Sequence, residues 1–196
     1  MEVIRKTTVD TELFELGDII SFDLTTGEKV QAMAVRETPN GMLFMTVDCL
    51  KTEYKMFDNV NKAEVVDYEH SDLRRKLNEE IFETFPEEIK GRMVGMRIGE
   101  TNRFDMLRIP TEREIFGENP YGADEPKSVR RFYGMEERRN RIAWQGSKTG
   151  EFEWYWLQNR AENTASLFAT VTNGGGYANC RNASNSLGVR PVFLLS

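Results

Sequence analysis

Residues 155–196 read YWLQNRAENTASLFATVTNGGGYANCRNASNSLGVRPVFLLS. This stretch holds no lysine and a single acid, Glu162, in a chain that carries 26 Lys+Arg and 32 Asp+Glu. Six asparagines (Asn159, Asn163, Asn173, Asn179, Asn182 and Asn185) are interleaved with Ala, Ser, Thr and Gly. Apolar segments bracket it, Trp154-Tyr155-Trp156-Leu157 before and Val189 to Leu195 after. A neutral, amide-rich insert pinned between two hydrophobic strands reads as a displayed surface rather than a loose tail. Asparagine offers both donor and acceptor, and Asn, Ser, Gly and Tyr are the palette of antibody combining loops. Composition alone leaves a loop bundle that binds nothing as the other reading.

Within the stretch, Leu167 to Val171 predicts a strand and Gly174-Gly175-Gly176 a flexible turn. Val189 to Leu195 predicts the closing strand, whose Pro191 implies an edge or irregular position. Trp154 and Trp156 fall on one strand face and Tyr155 on the other. Upstream, residues 16 to 50 predict a small antiparallel sheet: a strand at Asp18 to Leu24, a turn at Thr25 to Glu28, a return at Val30 to Val35, a Pro39-Asn40-Gly41 turn and a third strand from Met42 to Val47. The clearest helix is 71 to 83, with Ser71 as N-cap and Leu73, Leu77 and Ile81 as one apolar stripe. Thr84 to Glu87 reads as a capping box opening a short helix, with Pro86 early in it. Residues 103 to 109 predict a strand that ends at Pro110. Thr111 to Glu114 is a second capping box, and Gly117 closes its helix after Phe116. From Gly117 to Gly134 the chain predicts a surface excursion. With no internal repeat and no linker, the whole of residues 1–196 reads as one α+β domain of short helices on antiparallel strands.

With 39% hydrophobic and 11% aromatic residues the chain is a folded globule. Its net charge of −6 argues against nucleic acid or an anionic membrane as partner. The basic clusters Arg130-Arg131 and Arg138-Arg139-Asn140-Arg141 alternate with Glu136-Glu137 and read as a solvated helical face. The start of the sequence lacks the apolar core of a signal peptide, and no apolar run reaches a membrane span. Cys49 and Cys180 read as free thiols, with no metal-type spacing. His70 lies at a helix entry without a second His or Cys. The carboxylate pairs Glu79-Glu80, Glu87-Glu88 and Glu136-Glu137 lie on solvated stretches with no sign of the burial that acid/base work needs. One acid in the tail is too few for a calcium site there. No cofactor, metal or catalytic group is expected.

The ending Ala183-Ser184-Asn185-Ser186-Leu187-Gly188-Val189-Arg190-Pro191-Val192-Phe193-Leu194-Leu195, preceded by Trp156-Leu157-Gln158-Asn159, resembles the variable proteins of diversity-generating retroelements. Gly17 to Ile20, Ser71 to Asn78 and Thr111 to Phe116 also resemble, in the same order, a broader family of bacterial and phage proteins. The resemblance covers about residues 16 to 196. It implies a C-type-lectin-like fold of the formylglycine-generating-enzyme type. It also implies a variable region, residues 156–186, in which adenine-directed mutagenesis acts on Asn-type codons. The copper-bound cysteine motif of the enzymes of that fold is not recognisable around Cys49 or Cys180, so their activity is not carried over.

The implied function is non-enzymatic recognition of a protein or glycan ligand by a hypervariable surface; localisation is left open between virion, cell surface and cytoplasm, and so is the oligomeric state. An undiversified structural module of a virion or envelope is the alternative, and an enzyme of the formylglycine-generating type a further one. The contact positions expected from the first half of the region are Gln158, Asn159, Arg160, Glu162, Asn163, Leu167, Thr170 and Thr172. From the second half they are Asn173, Gly174, Tyr177, Asn179, Cys180, Arg181, Asn182 and Asn185. All sixteen should be exposed. The framework between them, implied to be Trp156, Leu157, Ala161, Ala165, Phe168, Ala169, Val171, Ala178, Ala183 and Gly188 to Pro191, should pack, with Phe168, Val171 and Val189 buried. Arg190 is expected to be a buried or semi-buried, hydrogen-bonded anchor.

Overall fold

A computed structural model describes residues 14–98, 104–147 and 150–196. The first layer is built from β1 (Ile19–Asp23), β2 (Lys29–Thr38) and β3 (Gly41–Thr46), joined by the two predicted turns. After the two-residue strand β4 (Tyr54–Lys55), the chain reaches α1 (Asp72–Lys76). Ser71 caps α1 as expected, its hydroxyl accepting from the Arg74 amide at 3.1 Å. The helix then loosens into a π-helical turn at Leu77–Ile81 and a 3-10 turn at Phe82–Thr84. Leu73, Leu77 and Ile81 all bury, so the apolar stripe survives this change of pitch.

The expected capping box at Thr84 does not form. The Thr84 hydroxyl instead donates backward to the Ile81 carbonyl (2.6 Å). Pro86, extended at ψ 148°, is itself the N-cap of α2 (Glu87–Lys90). A hydroxyl can satisfy either the helix it ends or the one it precedes, and here the ending turn takes it.

Next come β5 (Met93–Val94), β6 (Met96–Arg97) and β7 (Phe104–Asp105). The strand expected over 103–109 is regular only at β7; Arg108 adds an isolated bridge to Val192, and position 103 lies outside the described residues. The helix α3 (Glu112–Phe116) follows, with both halves of the Thr111/Glu114 capping box in place and Gly117 left-handed at φ 82°. α4 (Arg138–Arg141) takes one of the two basic clusters into a single helical turn, while Arg130 and Arg131 stay in loop. β8 (Ala143–Trp144) pairs with β9 (Phe152–Glu153). β10 (Tyr155–Arg160), β11 (Leu167–Val171), β12 (Ala178–Asn182), β13 (Ser186–Leu187) and β14 (Val192–Leu195) complete the chain.

Among the described residues the principal sheet runs β1-β2-β3-β14-β5, and the named strand pairs are antiparallel. β14 therefore lies between β3 and β5, not at an edge. Pro191 precedes the strand, and its carbonyl accepts from the Thr46 amide (3.0 Å), so its missing amide breaks no ladder bond inside β14. Because both faces of β14 are covered, all four of its residues bury, and the sequence there shows a run rather than alternation.

One face of this sheet (Phe44, Phe193, Leu195) packs on the helix stripe, Phe85 and Trp156. The other (Leu43, Met45, Val192, Leu194) packs on Tyr155, Leu157, Ala169 and Val171. Trp156 and Tyr155 thus enter different halves of the core, as strand alternation requires. The architecture is α+β: short helices on mostly antiparallel strands.

Candidate functional site

The tail forms a second sheet in the order β10-β11-β12. β11 is the middle strand, and β12 is paired on one side only among the described residues. A loop from Ala161 to Ser166 abuts one end of β12, where the Ala183 amide donates to the Ser166 carbonyl (2.8 Å). The turn at 172–177 closes the other end. It is more tightly built than a flexible Gly run. The Thr172 amide donates to the Tyr177 carbonyl (2.9 Å), the Gly176 amide to the Thr172 carbonyl (3.1 Å), and the Tyr177 amide to the Thr172 hydroxyl (3.0 Å). Gly176 is buried at φ +60°, and a Cβ there would stand 2.8 Å from the Arg138 carbonyl. Gly174 has open space around it.

Eight of the sixteen expected contact residues are exposed: Arg160, Glu162, Asn163, Gly174, Tyr177, Arg181, Asn182 and Asn185. They follow β12 and the loops at its two ends, forming a strip rather than an open sheet face. Gln158, Asn159, Leu167, Thr172, Asn173, Asn179 and Cys180 are half-buried. Thr170 departs from expectation. It sits mid-β11 opposite both Trp156 and Asn179, is fully buried, and its hydroxyl lacks a hydrogen-bond partner among the described residues. Ala165, expected in the packed frame, is exposed in the 161–166 loop.

Phe168, Val171 and Val189 are fully buried, as expected; Phe168 and Val171 enter different halves of the core, because β11 is covered on both faces. Arg190, 1% exposed, donates from Nε to the Thr46 carbonyl (2.9 Å) and from NH1 to the Tyr155 hydroxyl (3.1 Å), the anchor anticipated. Trp156 is equally buried and donates from Nε1 to the Tyr54 carbonyl (2.7 Å).

Two of the expected contact residues are spent on structure. Gln158 donates from Nε2 to the Ile109 carbonyl (2.5 Å). Asn159 accepts from the Glu112 amide (2.7 Å) and donates to Glu125 (3.1 Å), so its amide caps the start of α3 from 47 positions away. Beside it Gly122 forms a bridge with Ala161; a Cβ on Gly122 would lie 2.6 Å from that of Asn159, so only glycine allows this approach.

Other members of the strip are held outward by stacking. The Arg138 guanidinium lies 4.9 Å from the Tyr177 ring centre and donates to its hydroxyl, and Arg181 lies 4.0 Å over Trp154. Such braces restrict the conformations of these exposed side chains. Asn163 adopts φ 58°, a conformation that asparagine tolerates better than most residues. A shallow cleft of about 420 Å3 lies among Ala123 and residues 159–163. A wider one, about 930 Å3, is lined by Glu28, Lys51, Tyr54, Glu80 and their neighbours, none of them from the tail.

The buried carboxylates are ones that the sequence did not reveal. Glu114 takes two bonds from Arg108 (2.6 and 2.7 Å) and one from Arg36 (3.1 Å). Burial pushes its carboxyl up, but Arg108 and Arg36 outweigh that and hold it below the ordinary range. Glu112, fully buried, accepts from the Tyr121 (3.0 Å) and Gly122 (2.7 Å) amides and has no cationic partner among the described residues. Burial lifts it to about 7, against the pull of those two amides. The three carboxylate pairs singled out in the sequence are all exposed. His70 is exposed at the helix entry, 2.7 Å from Asp67. Both cysteines are free. Cys49 is buried, and desolvation pushes its thiol up.

The profile of a family described as a domain of unknown function (DUF6273) matches residues 40–196. The chain belongs to that family. The DUF6273 match takes in β3, α1, α3, the tail sheet and β14, and so spans both halves of the core and the whole strip. Comparisons with curated proteins and with solved structures return no match for this DUF6273 chain.

Proposed function

We propose that this chain is a non-enzymatic binding protein whose partner, a protein or a glycan, is recognised by the strip along β12 and its flanking loops. We further propose that the strip is diversified by a retroelement and that the scaffold is C-type-lectin-like. The observation that carries the reading is the partition of residues 156–189. Phe168, Val171, Ala183 and Val189 have no exposed surface, while exchangeable polar residues between them stand in solvent. Such a surface can change without disturbing the core. The structure narrows the exchangeable set, because Asn159, Gln158 and Thr170 belong to the frame.

The burial of Cys49 supports a binding role over an oxidase of the formylglycine-generating type that would use this thiol. A nucleophilic or metal-binding cysteine needs a favoured thiolate, and burial moves Cys49 the other way. Sequencing the DNA around the gene tests the diversification. The expected result is a near-copy of the segment coding for residues 156–186, differing at adenines, beside a reverse-transcriptase gene. If neither lies nearby, the undiversified structural module takes its place.

A further inference from the structure

The basic residues between 113 and 141 are not a uniformly solvated helical face. Arg113, Lys127, Arg130 and Arg131 converge on a hollow of about 480 Å3 against the end of α3, floored by Phe116 and Gly117. One carboxylate, Glu118, shares the lining. Several cations elsewhere are paired with carboxylates: Arg74 with Asp105, Arg108 with Glu114, Lys76 with Asp58, Arg75 with Asp72 and Glu79. None of the four around the hollow forms an ion pair among the described residues.

Two of them are nevertheless held in place. Arg113 donates from Nε to the Val129 carbonyl (2.9 Å) and Arg131 from NH1 to the Phe116 carbonyl (3.3 Å). These contacts are to backbone and leave the positive charge uncompensated. The nearby carboxylate of Glu125 is occupied by the Arg113 amide, Asn119 and Asn159. Behind the hollow Arg141 stacks on Phe116 at 5.4 Å, and its guanidinium is held below the ordinary range by burial and then by Arg131. In a chain of net charge −6, this is a localised positive field.

We propose that this hollow is a binding site for a tetrahedral oxyanion, a phosphate or sulfate ester group. Positioned guanidinium forks match two oxygens of such a group at once, and an ammonium adds a point charge. Arg113 and Arg131 supply the fixed forks; Lys127 and Arg130, exposed and without side-chain bonds of their own among the described residues, close over the bound group. The site does not depend on recognition by the strip.

The test is titration calorimetry at low ionic strength with inorganic pyrophosphate and with a heparin-derived tetrasaccharide, which separate phosphate from sulfate. At least one should bind saturably and weaken as salt rises. The double variant Lys127→Gln/Arg130→Gln should bind it roughly tenfold or more weakly. Arg75→Gln, at a cation already paired, and Arg181→Ser, in the strip, should leave binding unchanged. Absence of saturable binding by both probes, or equal binding in the double variant, overturns the proposal. Loss of binding in Arg181→Ser would move the anion to the strip and overturn it equally.

Discussion

At Asn159 and Asn185 the same residue type does opposite work. Asn159 bonds Glu112 and Glu125, whereas Asn185 is exposed and its side chain makes no hydrogen bond among the described residues. Asn159→Ala should cost about 1–3 kcal/mol, and Asn185→Ala should stay within about 0.5 kcal/mol, read from urea unfolding. No local pattern separates the two, because the partners of Asn159 lie far away in sequence. Glu112 was hidden for the same reason: its burial is created by Gly122 and Asn159. Its carboxyl titrates near 7 when folded, against an ordinary 4.5. Between those values the folded state holds more protons than the unfolded state, so this group lowers stability as pH rises through the window. The span is on the order of 3 kcal/mol. Glu112→Gln removes the titration, so the stability of the variant minus that of the parent should rise from pH 4.5 to pH 7. A flat difference would show that the carboxylate is not desolvated. Glu114 has the opposite sign: its stabilisation is present above the ordinary value and is lost as pH falls through its lowered one.

Elements with local instructions were legible in the sequence. The Thr111/Glu114 box and Gly117 define α3 within six or seven residues, and the Leu73-Leu77-Ile81 spacing identifies the buried helix face. Thr84 and β14 were not, since a hydroxyl between two helices has two legitimate acceptors and a Pro before a strand looks like one inside it. The turn at 172–177 shows the same limit, because three glycines look equally free. Gly174→Ala should be neutral, while Gly176→Ala should cost over about 1 kcal/mol from its left-handed φ and the nearby Arg138 carbonyl. Thermal melting of the two variants separates them. Arg190 joins the end of β3 to β10 through Thr46 and Tyr155. Arg190→Ala should lower stability by on the order of 3 kcal/mol or more, read as a lower urea midpoint, since it strands both acceptors.

Across the whole molecule, the two-sided burial of β14 and β10 binds the tail sheet to the principal sheet, so the strip rests on the shared core. The compositional break at residue 155 marks this strip, but not how narrow it is: the middle strand withdraws Thr170, and the contact with α3 withdraws Asn159. The central claim is that Arg160, Glu162, Gly174, Arg181, Asn182 and Asn185 can vary while the frame cannot. The most direct measurement is the thermal stability of a library randomised at those six positions, beside one randomised at Trp156, Phe168, Val171, Ala183, Val189 and Arg190. Most members of the first library should melt within a few degrees of the parent, and most members of the second should fail to fold. Collapse of the first library to the level of the second would contradict that claim.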